Sequence, residues 1–155
     1  MDGQRFKYPF ADGYFLTPVP LENCSVHQLH FIDSDNNAYQ IIINHGRLSE
    51  NQDLQQFVDQ EVEKMQRQVP VFSLEQSSAP KTLGPAQYEI MQQTHTFLYE
   101  GCLFTQHCAF IHLPLHPQIN PYKRNVVILS LASPQPGAEQ VEHFQDMLNT
   151  FVPWE

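Results

Sequence analysis

Twelve prolines divide the 155-residue chain, and their positions decide where its helices and strands can end. Pro18 and Pro20 close a short stretch, Gly13 to Thr17, that reads as a strand. Pro70 stops the helix before it, because the residue ahead of a proline avoids the helical region. Pro134 and Pro136 stand just before the last periodic segment. Between these marks Ser25 to Phe31 alternates in side-chain character and reads as a strand, Asp33 to Asn37 as a turn, and Ala38 to Asn44 as the partner strand of a hairpin. Ser49 and Gln52 have the spacing of a capping box, with Asn51 or Asp53 as other possible caps, and the helix runs to about Gln68. Val71 to Gln76 reads as a short strand. Ala86 to Tyr99 and Cys102 to Leu113 read as longer strands joined at Glu100-Gly101, a hairpin signal. Arg124 to Ala132 carries the run Val126-Val127-Ile128-Leu129 of a central strand buried on both faces. The stretch from Leu115 to Lys123 reads as a plain connector. In the final helix Val141, Phe144, Leu148 and Phe151 lie on one face.

Strands, helix, strands, helix is the order of an α+β domain. The expectation is one domain over residues 1–155, a twisted antiparallel β-sheet with two packed α-helices. Hydrophobic residues at 41% supply a core. A formal net charge of -9 argues against nucleic acid, whose phosphates are bound by clustered Lys and Arg, and against an anionic membrane surface. No window approaches the roughly 18 apolar residues of a membrane span, so no stable membrane insertion is expected. The start, Met1-Asp2-Gly3-Gln4-Arg5, leads into no apolar signal region, and the three cysteines cannot all pair internally. A reducing cytoplasm is the simpler reading.

The first helix holds the least ordinary pattern. At about 100° per residue, Leu54, Phe57, Val58, Val62, Met65 and Val69 form one apolar stripe, and Glu61 falls inside it. A carboxylate there either sits at a partly open edge and reaches water or a backbone amide, or borders a groove where it meets a bound partner. Met65 and Val69 continue the same ridge, and methionine suits a surface that adapts to different apolar shapes. The strands repeat the mixture. Val26, Gln28 and His30 share one face of their strand, and Phe104, Gln106, Cys108 and Phe110 share one face of theirs. Such a face is either half solvated or a concave apolar surface with a few amides. The second would suit a membrane helix, since these associate through close packing and Ser, Thr, Asn and Gln hydrogen bonds.

Enzymatic readings find less support. His95, His107, Cys108, His112 and His116 are concentrated in one region, yet His107 and Cys108 face opposite ways on a strand, and no C-x-x-C or H-E-x-x-H spacing occurs. Nothing marks a nucleophile elbow or a phosphate-cradling glycine loop. No catalytic residue, metal or cofactor is expected.

Phe57-Val58-x-x-Glu61-Val62-Glu63 followed by Gln68-Val69-Pro70-x-Phe72-x-Leu74 resembles the helix-to-strand signature of the DcrB-like family, and of its Eag chaperones of type VI secretion systems in particular. Tyr99-Glu100-Gly101 leading to Phe110-Ile111, and the ending Phe151-Val152-Pro153, match in the same order. The resemblance implies a PsbP/DcrB-like fold assembled as a homodimer in the cytoplasm of a Gram-negative bacterium. It also implies a non-catalytic chaperone that shelters the N-terminal transmembrane segments of a PAAR-bearing, possibly Rhs, effector before it is loaded on the secretion spike. Carried over by position, the helix-binding residues are Val26, Gln28, Glu61, Met65, Val69, Gln106 and Cys108. Glu61 departs from the pattern where a neutral amide is expected, and Gln28 where an aliphatic residue is. The alternative is a non-catalytic DcrB/PsbP-like interaction module with another partner.

Overall fold

A computed structural model describes residues 5–153, so the opening Met1 to Gln4, read above for the absence of a leader, lies outside the described residues. The chain forms β1 (Phe6–Phe10), β2 (Gly13–Thr17), β3 (His27–Ile32), β4 (Ala38–Arg47), α1 (Leu54–Gln68), β5 (Ser73–Ser77), β6 (Lys81–Leu83), β7 (Tyr88–Tyr99), β8 (Cys102–His112), β9 (Asn125–Ser133) and α2 (Ala138–Thr150). Seven strands make one antiparallel sheet in the order β3-β4-β9-β8-β7-β5, with β6 also pairing with β7, while β1 and β2 form a separate hairpin. The fold is α+β, with an antiparallel sheet and two helices.

Each helix takes one face of the sheet, and strand alternation sorts the core accordingly. Ile90, Ala109, Ile111, Leu129 and Leu131 pack with Phe144 and Leu148 of α2. Their neighbours in sequence, Met91, Cys108, Phe110 and Val126, pack with Leu54, Phe57, Val58 and Val62 of α1. The run Val126 to Leu129 therefore serves both faces, as a central strand must, and β9 lies between β4 and β8. Each large apolar side chain fully buried in these layers contributes about 1.5–3 kcal/mol relative to exposure.

Local polar contacts fix where the helices begin and how they dock. The cap of α1 is Asp53: its Oδ1 accepts from the Gln56 amide at 2.8 Å, and Gln56 Oε1 accepts from the Asp53 amide at 3.0 Å. Gln52 does reach back to the Ser49 amide at 2.9 Å, but one turn too early to start the helix, because Asn51 adopts φ 63. The Asp33 carboxylate accepts from the amides of Asp35 and Asn37 and from Gln140 Nε2 at 3.0 Å, so the β3–β4 turn holds the start of α2. The Asn37 amide chiefly, helped by Gln140, keeps the Asp33 carboxyl below its ordinary pKa. Tyr39 and His143 bond at 2.7 Å, and the Tyr88 hydroxyl donates to the Leu148 carbonyl.

Two strands have no counterpart in the sequence reading. Phe6, Tyr8 and Phe10 of β1 do alternate with Lys7 and Pro9, but the stretch is short, contains a proline and stays mostly exposed, and β6 is only three residues long. Ser25 and Val26 precede β3, and β4 runs three residues beyond Asn44. The stretch from Leu115 to Lys123 is more than a connector. Buried Asn120 donates to the carbonyls of Leu113 and Pro114 and accepts from the amides of Arg124 and Asn125, which holds this loop as an ordered wall. Among the described residues no helix is long and apolar enough to cross a membrane.

Gly46 of β4 registers α1 on the sheet. A Cβ there would lie 2.5 Å from Cζ of the buried Phe57 ring, so a methyl group must displace the helix or the ring. Gly46→Ala is expected to lower stability by about 1–3 kcal/mol as overpacking does, measured by urea unfolding. No loss would mean that α1 is free to shift.

Candidate functional site

The seven-stranded sheet is wider than one helix, and α1 leaves part of its face open. α1 packs on β7 and β8 and reaches the start of β9 at Val126. The Phe57 ring against Gly46 shows that the flank of α1 bearing Phe57 faces β4. Glu61 lies one turn further along that flank. Beyond it the same face of β9, β4 and β3 presents Ile128, Ser130 and Ala132, then Gln40 and Ile42, then Gln28 and His30. Ile128 packs against the core under α1 at the inner margin of this surface, and the other side chains are half-buried or exposed.

Register aligns this surface into rows across the sheet. Gln28 pairs with Ile42, Ile42 with Ser130, Ser130 with Cys108, and Cys108 with Gln93. The next row runs His30, Gln40, Ala132, Gln106 and His95. The open strip is thus a mixed surface, with Ile128, Ala132 and Ile42 set among amide, hydroxyl and imidazole groups, and α1 walls it on one side.

Of the residues singled out in the sequence, register puts Gln28, Gln106 and Cys108 on this face of the sheet. Glu61, Met65 and Val69 belong to α1 and its C-cap, with Met65 against the core. Val26, just ahead of β3, is 54% exposed, and Gln28 is exposed. Glu61, Met65, Val69 and Gln106 are half-buried. Glu61 stands at the partly open edge of the stripe, where it pairs with Lys64 at 3.2 Å. Cys108 does not line the strip: it is 4% exposed and belongs to the core beneath α1. Burial, and secondarily the Glu61 carboxylate, push its thiol up to about 12, so it stays a protonated packing group.

A buried polar cluster supports the strip and escaped the sequence reading. His95 is fully buried on β7, with Nε2 2.7 Å from Gln93 Oε1 and Nδ1 3.2 Å from Gln106 Oε1. Gln93 Nε2 donates to Ser77 Oγ at 3.2 Å, and the Phe72 ring lies 5.0 Å from the imidazole. Burial lowers the His95 pKa, favouring a neutral ring with a single N–H. Since a neutral ring donates from one nitrogen only, one of the two glutamines must turn its amide group toward it. The one signal in the sequence was parity, Met91, Gln93, His95 and Phe97 sharing a face.

The other histidines of that region have separate partners. His107 stands on the α2 side near Phe144, His112 faces Glu89 and the Lys123 carbonyl, and His116 Nδ1 accepts from the amides of Gln118 and Ile119. Among the described residues no three His, Cys, Asp or Glu side chains gather as metal ligands. Two cavities lie off the strip. One of about 590 Å³ runs between α2 and the β5–β7 edge, and one of about 610 Å³ lies beside the end of α2.

The sequence model of the DcrB family matches residues 12–150. A Pseudomonas aeruginosa protein of unknown function, PA94, has a crystal structure similar over 99% of both chains, with a TM-score of 0.72 at 14% identity. LpqN of Mycobacterium tuberculosis, a protein involved in cell envelope biogenesis, is similar over 97% of this chain and 91% of its own, with a TM-score of 0.56 at 15% identity. No curated protein matches the sequence.

His95→Leu is expected to cost about 1–3 kcal/mol, because it strips buried Gln93 of a partner. The pH dependence has a definite sign. With the folded-state pKa lowered from 6.5, the unfolded chain takes up a proton first, so stability is full above about pH 6.5 and falls as pH drops below it. Denaturant unfolding from pH 7.5 to 5 should show that decline in the native chain and a shallower one in the variant. An unchanged slope would mean that His95 is not held neutral.

Proposed function

The chain belongs to the DcrB family, and from that premise we propose that it is a non-catalytic chaperone for apolar helices. Its client, in this reading, is the set of N-terminal transmembrane segments of a PAAR-bearing type VI secretion effector, held in the cytoplasm before export. The observation that carries the reading is the open strip beside α1. From β9 to β3 the three strand axes span about 10 Å at about 4.8 Å per spacing, and an α-helix with its side chains is about 10–12 Å across. β4, with ten residues, is about 34 Å long. The Phe57 ring takes its Gly46 end, so the rest of the strip seats several turns of an apolar helix alongside α1, as a surrogate neighbour.

The chemistry of the strip supports the same reading. Ile42 and Ala132 offer close apolar contact, while Gln28, Gln40, Ser130 and Gln106 offer hydrogen bonds to the polar side chains that membrane helices use to associate. Glu61 and Lys64 at the wall neutralise one another. Burying the client's apolar surface contributes roughly 25 cal/mol per Å², and the wet, polar-studded floor keeps the complex reversible. The outer edge of β3 pairs with no other described strand and offers a means of forming a homodimer.

Co-expression with the N-terminal apolar segment of a PAAR-bearing effector tests the proposal. The native chain should keep that segment soluble and co-purify with it. Ile42→Arg should abolish the complex without altering the chain's own melting temperature, and Gln106→Ala should weaken binding several-fold. Unchanged co-purification by Ile42→Arg would remove the strip from the site, and an insoluble segment beside the native chain would refute the chaperone reading.

A further inference from the structure

We propose that the cavity of about 610 Å³ on the α2 side of the sheet binds a single-chain anionic amphiphile. Its volume lies within the range of roughly 300–1,000 Å³ found for small-molecule sites. The floor is aliphatic: Leu29, Ile43 and Val127 rise from β3, β4 and β9, on the face opposite the open strip. Leu113 and Ile119 from the 113–125 loop and Phe151 after α2 close the sides. The Asn120 bonds hold this loop in place, so the cavity is built before any ligand arrives. Flexible methylene chains suit such a lining.

Charge at one end selects the head group. Arg47 ends β4 opposite Asn125, and the Arg124 carbonyl accepts from the Leu48 amide at 2.7 Å, so the two arginines are neighbours. Both line the cavity, and among the described residues neither guanidinium has a hydrogen-bond or ion-pair partner. In a chain of net charge -9, two of its four arginines stand here, against Glu22 as the one carboxylate in the lining. Ser25 also lines the cavity, and its Oγ is buried without a partner. Unpaired arginines beside an aliphatic chamber match a carboxylate or phosphate on a hydrocarbon chain, and arginine is the side chain whose fork fits both heads. The site is independent of the helix-binding strip, which lies on the opposite face.

Binding of dodecanoate, dodecyl phosphate and dodecanol to the whole chain, followed by native mass spectrometry and by displacement of a fluorescent fatty acid, tests the proposal. One equivalent of an anionic amphiphile should bind saturably, and dodecanol at least ten-fold more weakly. Arg47→Gln with Arg124→Gln should weaken the anions about ten-fold and leave dodecanol unchanged. Leu29→Trp, which fills the floor from an exposed edge strand, should reduce all three. Preference for dodecyl phosphate over dodecanoate, or the reverse, would identify the head group. Absence of saturable uptake would overturn the proposal, as would equal affinity for dodecanol or indifference to both sets of variants. Self-association that closes the cavity without any uptake of amphiphile would overturn it in favour of a second copy of the chain.

Discussion

The structure depends on a mismatch of widths. Six strands side by side from β3 to β5 span about 24 Å, and a single helix covers about 10 Å of that. Each face of the sheet receives one helix, so each keeps a surplus of strand surface. On the α2 side the N-terminal hairpin, the 113–125 loop and the chain after α2 fold over the surplus and leave a cavity between them. On the α1 side no described element does so, and the surplus remains an open strip. Cavity and strip are two outcomes of one constraint, separated by the thickness of the sheet.

What gives the strip its character is the alternation of the strands beneath it. The residues that build the α2 core, Ile41, Leu129 and Leu131, alternate with Ile42, Ile128 and Ser130 on the other face. A one-residue slip in β4 or β9 would exchange these sets, and the core under α2 holds the register against it. Gly46 then admits Phe57, which sets how far α1 advances toward β4 and therefore how wide the strip stays. His95, held by Gln93, anchors the amide of Gln106 from behind, giving a polar group on the strip a defined orientation.

Much of this was legible in the sequence for a definite reason. Elements whose apolar residues repeat with a clear period and whose ends carry proline or a turn residue came through, notably the β7–β8 hairpin, where Glu100 and Gly101 take φ 50 and 77 as the turn requires. β1 did not, since its alternation of Phe6, Tyr8 and Phe10 spans only five residues and Pro9 within it argues against a strand. Parity along each strand grouped Gln28 with His30 and Gln106 with Cys108, but parity says nothing about what covers each position. Only packing reveals that Cys108 lies beneath α1 while Gln28 is uncovered. The partners of His95 and the loop fastened by Asn120 were likewise invisible, because the first rest on which side chains turn toward each other within one face of a hairpin and the second on backbone carbonyls that any residue could supply.

The central claim is that the α1 side of β9, β4 and β3 receives an apolar helix. A photo-activatable cross-linker placed at Ile42, and separately at Ile43 on the opposite face, tests it directly in the complex with an effector's N-terminal segment. The account predicts cross-links from position 42 to one face of the bound helix, spaced three to four residues apart, and none from position 43. Cross-links from position 43 alone, or from neither position in a complex that still forms, would contradict it.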